Sequence, residues 1–281
     1  MSTLAETIET VPPRPFLKWA GGKSKLLQQY KPHFPKTFKN YYEPFLGGGA
    51  VFFYFARQPL QLSARLTDIN QELINVYRCI QSAPDTVIVL LANHQKEHRS
   101  EYYYKVRENL EGTDCEKAAR IIYLNKTCFN GLYRENSKGE FNVPIGRYKN
   151  PQIFNPGLIR SVSTALQKVQ IDVKPFEDVL HYAISSDDFV YFDPPYHPLS
   201  YTSNFTSYSR YSFNEEDQIR LRHVFAELAG RGVNVMLSNS DCSFIRELYK
   251  DFKIHKILAA RTINSNIKKR GIISEVLITS Y

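Results

Sequence analysis

Apolar and polar positions follow two rhythms along this chain, and the rhythm changes twice. "GGKSKLLQQY" reads as a loop running into a helix, Tyr41 to Leu46 as a short apolar strand, and "AVFFYFARQ" after Gly47-Gly48-Gly49 as a buried helix. Ser63 to Thr67 predicts a second strand ending at Asp68, with Asn70 placed to cap a helix from Gln71. Helical periodicity then continues without a strand, in runs near 71–81, 84–93, 98–110 and 114–126. Turn formers follow in "CFNGLYRENSKGEFNVPIGRYKNP", where "ENSKGE" between "GLYR" and "FNVP" predicts a β-hairpin. After Pro156 the strand–helix alternation returns: helix 156–167, strand 169–173, helix 175–183 and strand 188–193. A polar loop over 194–213 leads to helix 214–230, strand 233–238, helix 241–251 and strands near 253–258 and 274–280.

Strands alternating with helices predict an α/β fold with a parallel sheet covered on both faces. The all-helical stretch with its hairpin leaves after the second strand and returns before the third. The expected organisation is a disordered lead over residues 1–13, a sheet domain from 14–72 and 157–281, and an inserted module over 73–156. In such a sheet the ligand crevice lies at the carboxyl ends of the strands, where the strand order reverses.

A length of 281 residues suits one large domain, or one domain carrying a smaller insert. No stretch approaches the roughly 20 apolar residues of a membrane span, and the first residues lack the basic-then-apolar pattern of a signal peptide. Cys79, Cys115, Cys128 and Cys242 show no metal-ligand or CxxC spacing, so reduced thiols are expected. The net charge of +8 changes the picture through its distribution. Arg14 to Tyr42 holds seven Lys/Arg and no acid, Arg246 to Gly271 eight against two, and Lys126 to Lys149 five against two. Converging in space, these stretches would make a phosphate-tracking face; ordinary solvated surface is the alternative.

Three stretches suggest chemistry. "YYEPFLGGGAVFF" is a strand, a glycine-rich turn and a helix, but not the GxGxxG fingerprint. Asp68, ending the next strand, is placed to bond the ribose hydroxyls of an adenosine-type ligand; helix capping is the bland alternative. "FLKWAGGKSK" contains Gly22-Lys23-Ser24, but the phosphate-loop pattern needs a glycine where Leu17 stands. Trp19 could instead offer a flat face, and Lys23 a charge for a carboxylate-bearing ligand. In "FVYFDPPYHPLS" a strand buried on both faces ends at Asp193. Pro194 and Pro195 have no amide hydrogen and cannot continue a ladder. A carboxylate beside a free carbonyl, with Tyr196 as an aromatic face, suits an NH₂ group on a flat heterocycle. Accepting its hydrogens pushes electron density onto the nitrogen and favours attack on an electrophile.

"FLKWAGGK", "EPFLGGG", "DINQELI" and "DPPY", in this order, resemble the Dam-type DNA adenine-N6 methyltransferases (the D12 class). The similarity extends to "YLNKTCFNGLYRENSKGEFNVPIGRYKNP" and "NFTSYSRYSF", and so over nearly the whole chain from Arg14. The resemblance implies a Rossmann-like methyltransferase sheet with an inserted helical target-recognition domain carrying the hairpin. It implies S-adenosylmethionine as cofactor and no metal. The cofactor contacts carry over to Trp19, Lys23, the loop Glu43, Pro44, Phe45, Gly47 and Gly49, and to Asp68 and Asp193. Asp193, Pro194, Pro195 and Tyr196 become the catalytic motif. Asp193 and the Pro194 carbonyl accept from N6 of an adenine flipped out of duplex DNA, and orientation outweighs full base catalysis. For DNA, the family pattern puts an intercalating aromatic at Phe129, supported by Asn130, and apolar base contacts at Leu132 and Pro144. It puts a guanine-reading arginine at Arg134 and a lysine for the outer guanine at Lys18. Together these imply GATC. "NKTCF" departs from the family's "NRYGY"-like wording, and Phe129 lacks the hydroxyl of the usual tyrosine. Hairpin core is the alternative for Phe129, and a phosphate contact for Arg134. Asn204 to Phe213 is expected to close over the flipped base or the DNA backbone. A cytosine-N4, RNA-adenine or protein-amide methyltransferase shares the Asp-Pro-Pro-Tyr chemistry, and a non-catalytic DNA-binding protein could keep the fold. The expected setting is a monomer in a bacterial or phage-infected cytoplasm, with a restriction endonuclease counterpart left open.

Overall fold

The computed structural model describes residues 11–59, 62–136, 138–199, 213–260 and 272–281. The first ten residues of the predicted lead and most of the Asn204–Phe213 loop lie outside them. The strands are β1 (Asn40–Glu43), β2 (Ser63–Asp68), β3 (Val169–Val173), β4 (Asp188–Phe192), β5 (Asn234–Ser240), β6 (Lys253–Ala260) and β7 (Ile272–Thr279). They form one sheet in the order β3-β2-β1-β4-β5-β7-β6.

The first five strands are parallel, as the alternation with helices predicts. β7 is antiparallel to both its neighbours, so the sheet is not parallel throughout. Only 11 residues join β6 to β7, fewer than the dozen or more that a parallel crossover takes, so an antiparallel return is the one they allow.

β4 shows why the sheet is covered on both faces. Phe189 and Tyr191 belong to one apolar cluster, Val190 and Phe192 to the other, and all four are fully buried. The side-chain period of two makes a continuous apolar run the requirement for such a strand. The first cluster takes in α1 (Leu27–Tyr30), α2 (Ala50–Phe55) and α3 (Gln71–Ser82) and continues into α4 (Pro84–Lys96), α5 (Ser100–Glu108) and α6 (Asp114–Thr127). α3 packs on β2 and β3 as well as on α6 and α7 (Pro156–Leu166). The second cluster lies under α8 (Glu215–Gly230) and α9 (Ser243–Leu248).

The helix starts follow their caps. The Asn70 side chain accepts from Leu73 N–H at 2.9 Å and opens α3. Thr113 with Glu116 opens α6, and Asn214 with Asp217 opens α8, each as a reciprocal capping box. Some elements are shorter than the sequence predicts. β1 ends at Glu43, before Pro44. Phe176–His181 is a 3₁₀ helix. α9 stops at Leu248, where Tyr249 and Phe252 turn inward onto Phe225, with centroids 5.4 and 4.7 Å away.

The predicted hairpin is held by two isolated antiparallel bridges, Cys128↔Ile145 and Glu135↔Phe141, rather than by continuous strands. A short ladder remains, with Asn136 N–H donating to the Glu140 carbonyl and Asn142 N–H to the Arg134 carbonyl, and side chains reinforce it. Asn136 Oδ1 accepts from the Lys138 and Glu140 N–H groups, and Arg134 bonds Asn142.

Candidate active site

β1 and β4 are neighbours although β2 and β3 come between them in sequence, so the strand order reverses at this pair. Glu43 ends β1, Asp68 ends β2 and Asp193 follows β4. Glu43 and Asp193 therefore stand at the carboxyl edge of the sheet at its switch point, where open α/β sheets take ligands, and Asp68 stands at the same edge one strand away.

Asp193 is the hub. Its Oδ1 lies 2.8 Å from Lys23 Nζ and accepts from Ser238 Oγ at 2.8 Å. Ser238 Oγ in turn meets the Tyr191 hydroxyl at 3.0 Å. Lys23 sits in a short 3₁₀ helix, Lys23–Lys25, with a nearly buried side chain; it also donates to the Gly21 carbonyl and lies 4.8 Å from the centre of the Tyr196 ring. The Tyr196 hydroxyl donates to Glu275 Oε2 at 2.9 Å. Burial, reinforced by Tyr30, Asp193 and Glu275, holds the Tyr196 phenol well above its ordinary range, so it remains a donor.

The prolines divide their work. The Pro195 carbonyl accepts from Gln218 Nε2 at 3.0 Å, and Asn239 Nδ2 donates to Gln218 Oε1 at 3.0 Å. Among the described residues nothing donates to the Pro194 carbonyl. His197 N–H donates to Asn239 Oδ1 at 3.1 Å, and the His197 carbonyl accepts from Ser240 Oγ at 2.7 Å. The end of the motif is thus tied to β5.

Glu43 is buried and accepts at Oε2 from the Tyr41 hydroxyl (2.8 Å) and the Phe52 N–H (3.2 Å). Burial pushes its carboxyl up to about 8, with Asp193 acting in the same direction. Pro44 is buried behind it. Phe45 points away into the second cluster, stacked on Phe176 at 5.4 Å.

The glycine turn is a close approach in fact as well as in pattern. Gly47 has φ 47°, and a Cβ there would lie 2.9 Å from Trp19 Cδ1. Gly49 has φ 65° and caps α2. Asp68 Oδ2 accepts from Gly47 N–H at 3.1 Å, and Oδ1 from Asn70 N–H at 2.9 Å. It is therefore bonded both to the turn and to the start of α3. Burial raises its carboxyl, opposed by the N–H groups of Asn70, Gly47 and Ile69.

The inserted stretch meets this loop directly. Trp19 stacks on Tyr133 with centroids 5.1 Å apart. Asn125 of α6, fully buried, accepts from Lys18 N–H at 2.8 Å and donates to the Lys18 carbonyl at 2.7 Å. Lys18 Nζ lies 4.3 Å from the Tyr148 ring centre. A Cβ on Gly131 would meet Lys18 Cδ at 2.5 Å, so the chain passes Lys18 only as glycine. The sequence-predicted DNA residues gather beside it. Phe129 is 47% exposed, Asn130 has φ 56°, and the exposed Pro144 accepts from Phe129 N–H through its carbonyl at 2.9 Å. Leu132 is half-buried against the first cluster. Arg134 is exposed, with Nε donating to Asn142 Oδ1 at 2.7 Å and Nη2 to the Asn142 carbonyl at 3.2 Å. Lys126 is pushed down to about 8 by burial and then by Lys18 and Arg14, which marks a crowded basic strip.

Sequence reading missed Ser238, Gln218, Asn239, Glu275 and Asn125. Polar residues inside runs that otherwise read as buried ("VMLSNS", "ISEVLI", "IIYLN") are the signal that could have found all but Gln218, which sits in the polar first turns of α8 and carries no such signal.

Residues 19–263 match the family described as D12 class N6 adenine-specific DNA methyltransferase. The chain is similar to the type II methyltransferase M1.LlaDCHI of Lactococcus lactis subsp. cremoris, with 48% identity over 95% of each chain. It is similar to the type II methyltransferase M.MjaIII of Methanocaldococcus jannaschii, at 45% identity over 95% of this chain and 99% of the relative. The DNA adenine methylase of Escherichia coli (strain K12) is 37% identical over 94% of each chain. With carboxylates at the strand ends beside the sheet's switch point and this match across most of its length, the chain belongs to the D12 class of N6 adenine-specific DNA methyltransferases.

Proposed function

We propose that this enzyme transfers a methyl group from S-adenosylmethionine to N6 of an adenine flipped out of duplex DNA, within GATC. The observation that carries the reading is the Asp193 site: a carboxylate held by Lys23 and Ser238, a Pro194 carbonyl without a donor among the described residues, and the Tyr196 ring beside them. Two acceptors side by side suit the two hydrogens of an exocyclic amine. Orienting that nitrogen contributes more than proton removal, because the proton can leave during or after transfer.

The residues present fit the cofactor. Gly47 leaves room where a Cβ would strike Trp19, Asp68 stands at the end of β2, and Asp193 supplies a carboxyl suited to a cationic ligand. Trp19, Lys23, the Glu43–Gly49 loop, Asp68 and Asp193 would hold it. When bound, it supplies a methyl group made electrophilic by the sulfonium. Residues 14–72 and 157–281 would form the catalytic domain, and 73–156 the target-recognition domain.

The exposed Phe129–Asn130 turn at the base of the hairpin, with Lys18 against Gly131 and the exposed Arg134 further along the same arm, supports reading in the major groove. Arg134 has two of its donors fixed on Asn142, which orients the remaining edge for a guanine. Relatives named as type II methyltransferases support pairing with a restriction endonuclease. The test is expression in a host without adenine methylation, followed by mapping of methylated adenines. Methylation confined to GATC is expected, and it should vanish with Asp193→Ala while DNA binding stays. Another adenine motif would retire the Lys18 and Arg134 assignment. Methylated cytosine or RNA alone would overturn the substrate.

A further inference from the structure

β7 carries a carboxylate where the core pattern calls for an apolar residue. Val276 and Ile278 face the second cluster, and Leu277 the first. Glu275 falls on the same face as Leu277 by strand alternation. It lies opposite Ser240 of β5 and Ile257 of β6 in an interior strand. Burial pushes its carboxyl above the usual range, opposed by Lys23 and by the Tyr196 hydroxyl. A carboxylate in this position is costly, and its one hydrogen bond among the described residues is to Tyr196, at 2.9 Å.

Tyr196 stands on a loop after β4, with no ladder to fix its ring. Neighbouring side chains hold the ring instead, Ser238 beside the hydroxyl among them, and two contacts address its face and its hydroxyl. Lys23 Nζ approaches its face at 4.8 Å, and Glu275, on a strand paired along both edges, holds its hydroxyl. A stacking platform works only if its plane is set before the base arrives. We infer that Glu275 is a positioning residue that fixes the plane of the Tyr196 ring for the target adenine. The inference rests on the reading of Tyr196 as the stacking platform.

The test compares Glu275→Ala, Glu275→Gln, Tyr196→Phe, Tyr196→Ala and the double variant Tyr196→Phe/Glu275→Ala. Each is measured for kcat and for KM on a GATC duplex, and for fluorescence of a duplex with 2-aminopurine at the target adenine. Glu275→Ala should lower kcat by up to about 100-fold with KM little changed, the scale of a misplaced reacting group. Glu275→Gln keeps an acceptor for the phenol and should recover kcat to within about 5-fold of wild type, since a neutral acceptor bonds less strongly. The double variant should be no worse than the poorer single, because both remove one interaction. Emission should rise in Glu275→Ala and Tyr196→Phe as the stacked base loosens.

A Gln variant as poor as the Ala variant would overturn the inference, because charge rather than the hydrogen bond would then matter. Independent, multiplying losses in the double variant would do the same. If Glu275→Ala does not fold, Tyr196→Phe decides alone: full kcat overturns the inference. An inactive Tyr196→Ala beside a fully active Glu275→Ala overturns this inference only, whereas an active Tyr196→Ala overturns the platform reading with it.

Discussion

Asn125→Ala removes the clamp between α6 and the loop that carries Lys18 and Trp19. The Asn125 carboxamide accepts from Lys18 N–H at 2.8 Å, donates to the Lys18 carbonyl at 2.7 Å, and reaches the Gly131 carbonyl at 3.4 Å. Alanine leaves two close backbone groups without their partner. Each unsatisfied buried group costs about 1–3 kcal/mol, so the pair costs about 2–6 kcal/mol. The Lys18 side chain is exposed and admits some water, which places the loss nearer about 2–4 kcal/mol. At about 2 °C per kcal/mol for a chain of this size, Tm should fall by about 4–8 °C. The assay is thermal unfolding by circular dichroism, paired with urea unfolding to check that the slope is unchanged. Asn125→Asp keeps the acceptor for Lys18 N–H but turns an acceptor toward the Lys18 carbonyl, so it should be at least as damaging at neutral pH. A Tm within about 1 °C of wild type for Asn125→Ala would refute the reasoning, because water would then replace the carboxamide at no cost.

Gly47→Ala places a Cβ at φ 47° against Trp19, a strain of about 1–2 kcal/mol before Trp19 moves. Calorimetric titration should show cofactor binding weakened by about 10-fold, and unchanged affinity would remove Gly47 from the site. Glu43 is held at about 8 against 4.5 for a free carboxyl, so the folded state keeps a proton that the unfolded state releases. That contribution to stability is present in full below about 4.5 and lost as pH rises through about 8, so wild-type Tm should fall across this window more steeply than that of Glu43→Gln. Parallel Tm profiles would contradict the raised carboxyl. Arg134→Ala should relax selection at one guanine by about 1–3 kcal/mol, read from methylation rates on single-base variants of the site. Equal slowing on every sequence would mark it as a phosphate contact.

The order of elements was legible because burial imposes periods on the chain. β4 reads as a strand since both faces need apolar residues, and Asn70 announces a helix start because its side chain replaces a missing carbonyl partner. The places of the glycine turn, Asp68 and Asp193 in the fold were legible because each falls at a strand end. Asp68 bonds the Gly47 N–H with one oxygen and the Asn70 N–H at the helix entry with the other.

Only the tertiary structure could bring Ser238 and Glu275 to the Asp193–Tyr196 motif. These partners come from strands 45 and 79 residues further along the chain, and sheet register, which no local pattern encodes, sets their places. The same holds for Asn125, which meets Lys18 across 107 residues. Side chains with local periodicity declare themselves in sequence. Polar side chains that serve distant partners show only as exceptions to the apolar pattern, and their meaning waits on the packing that supplies the partner.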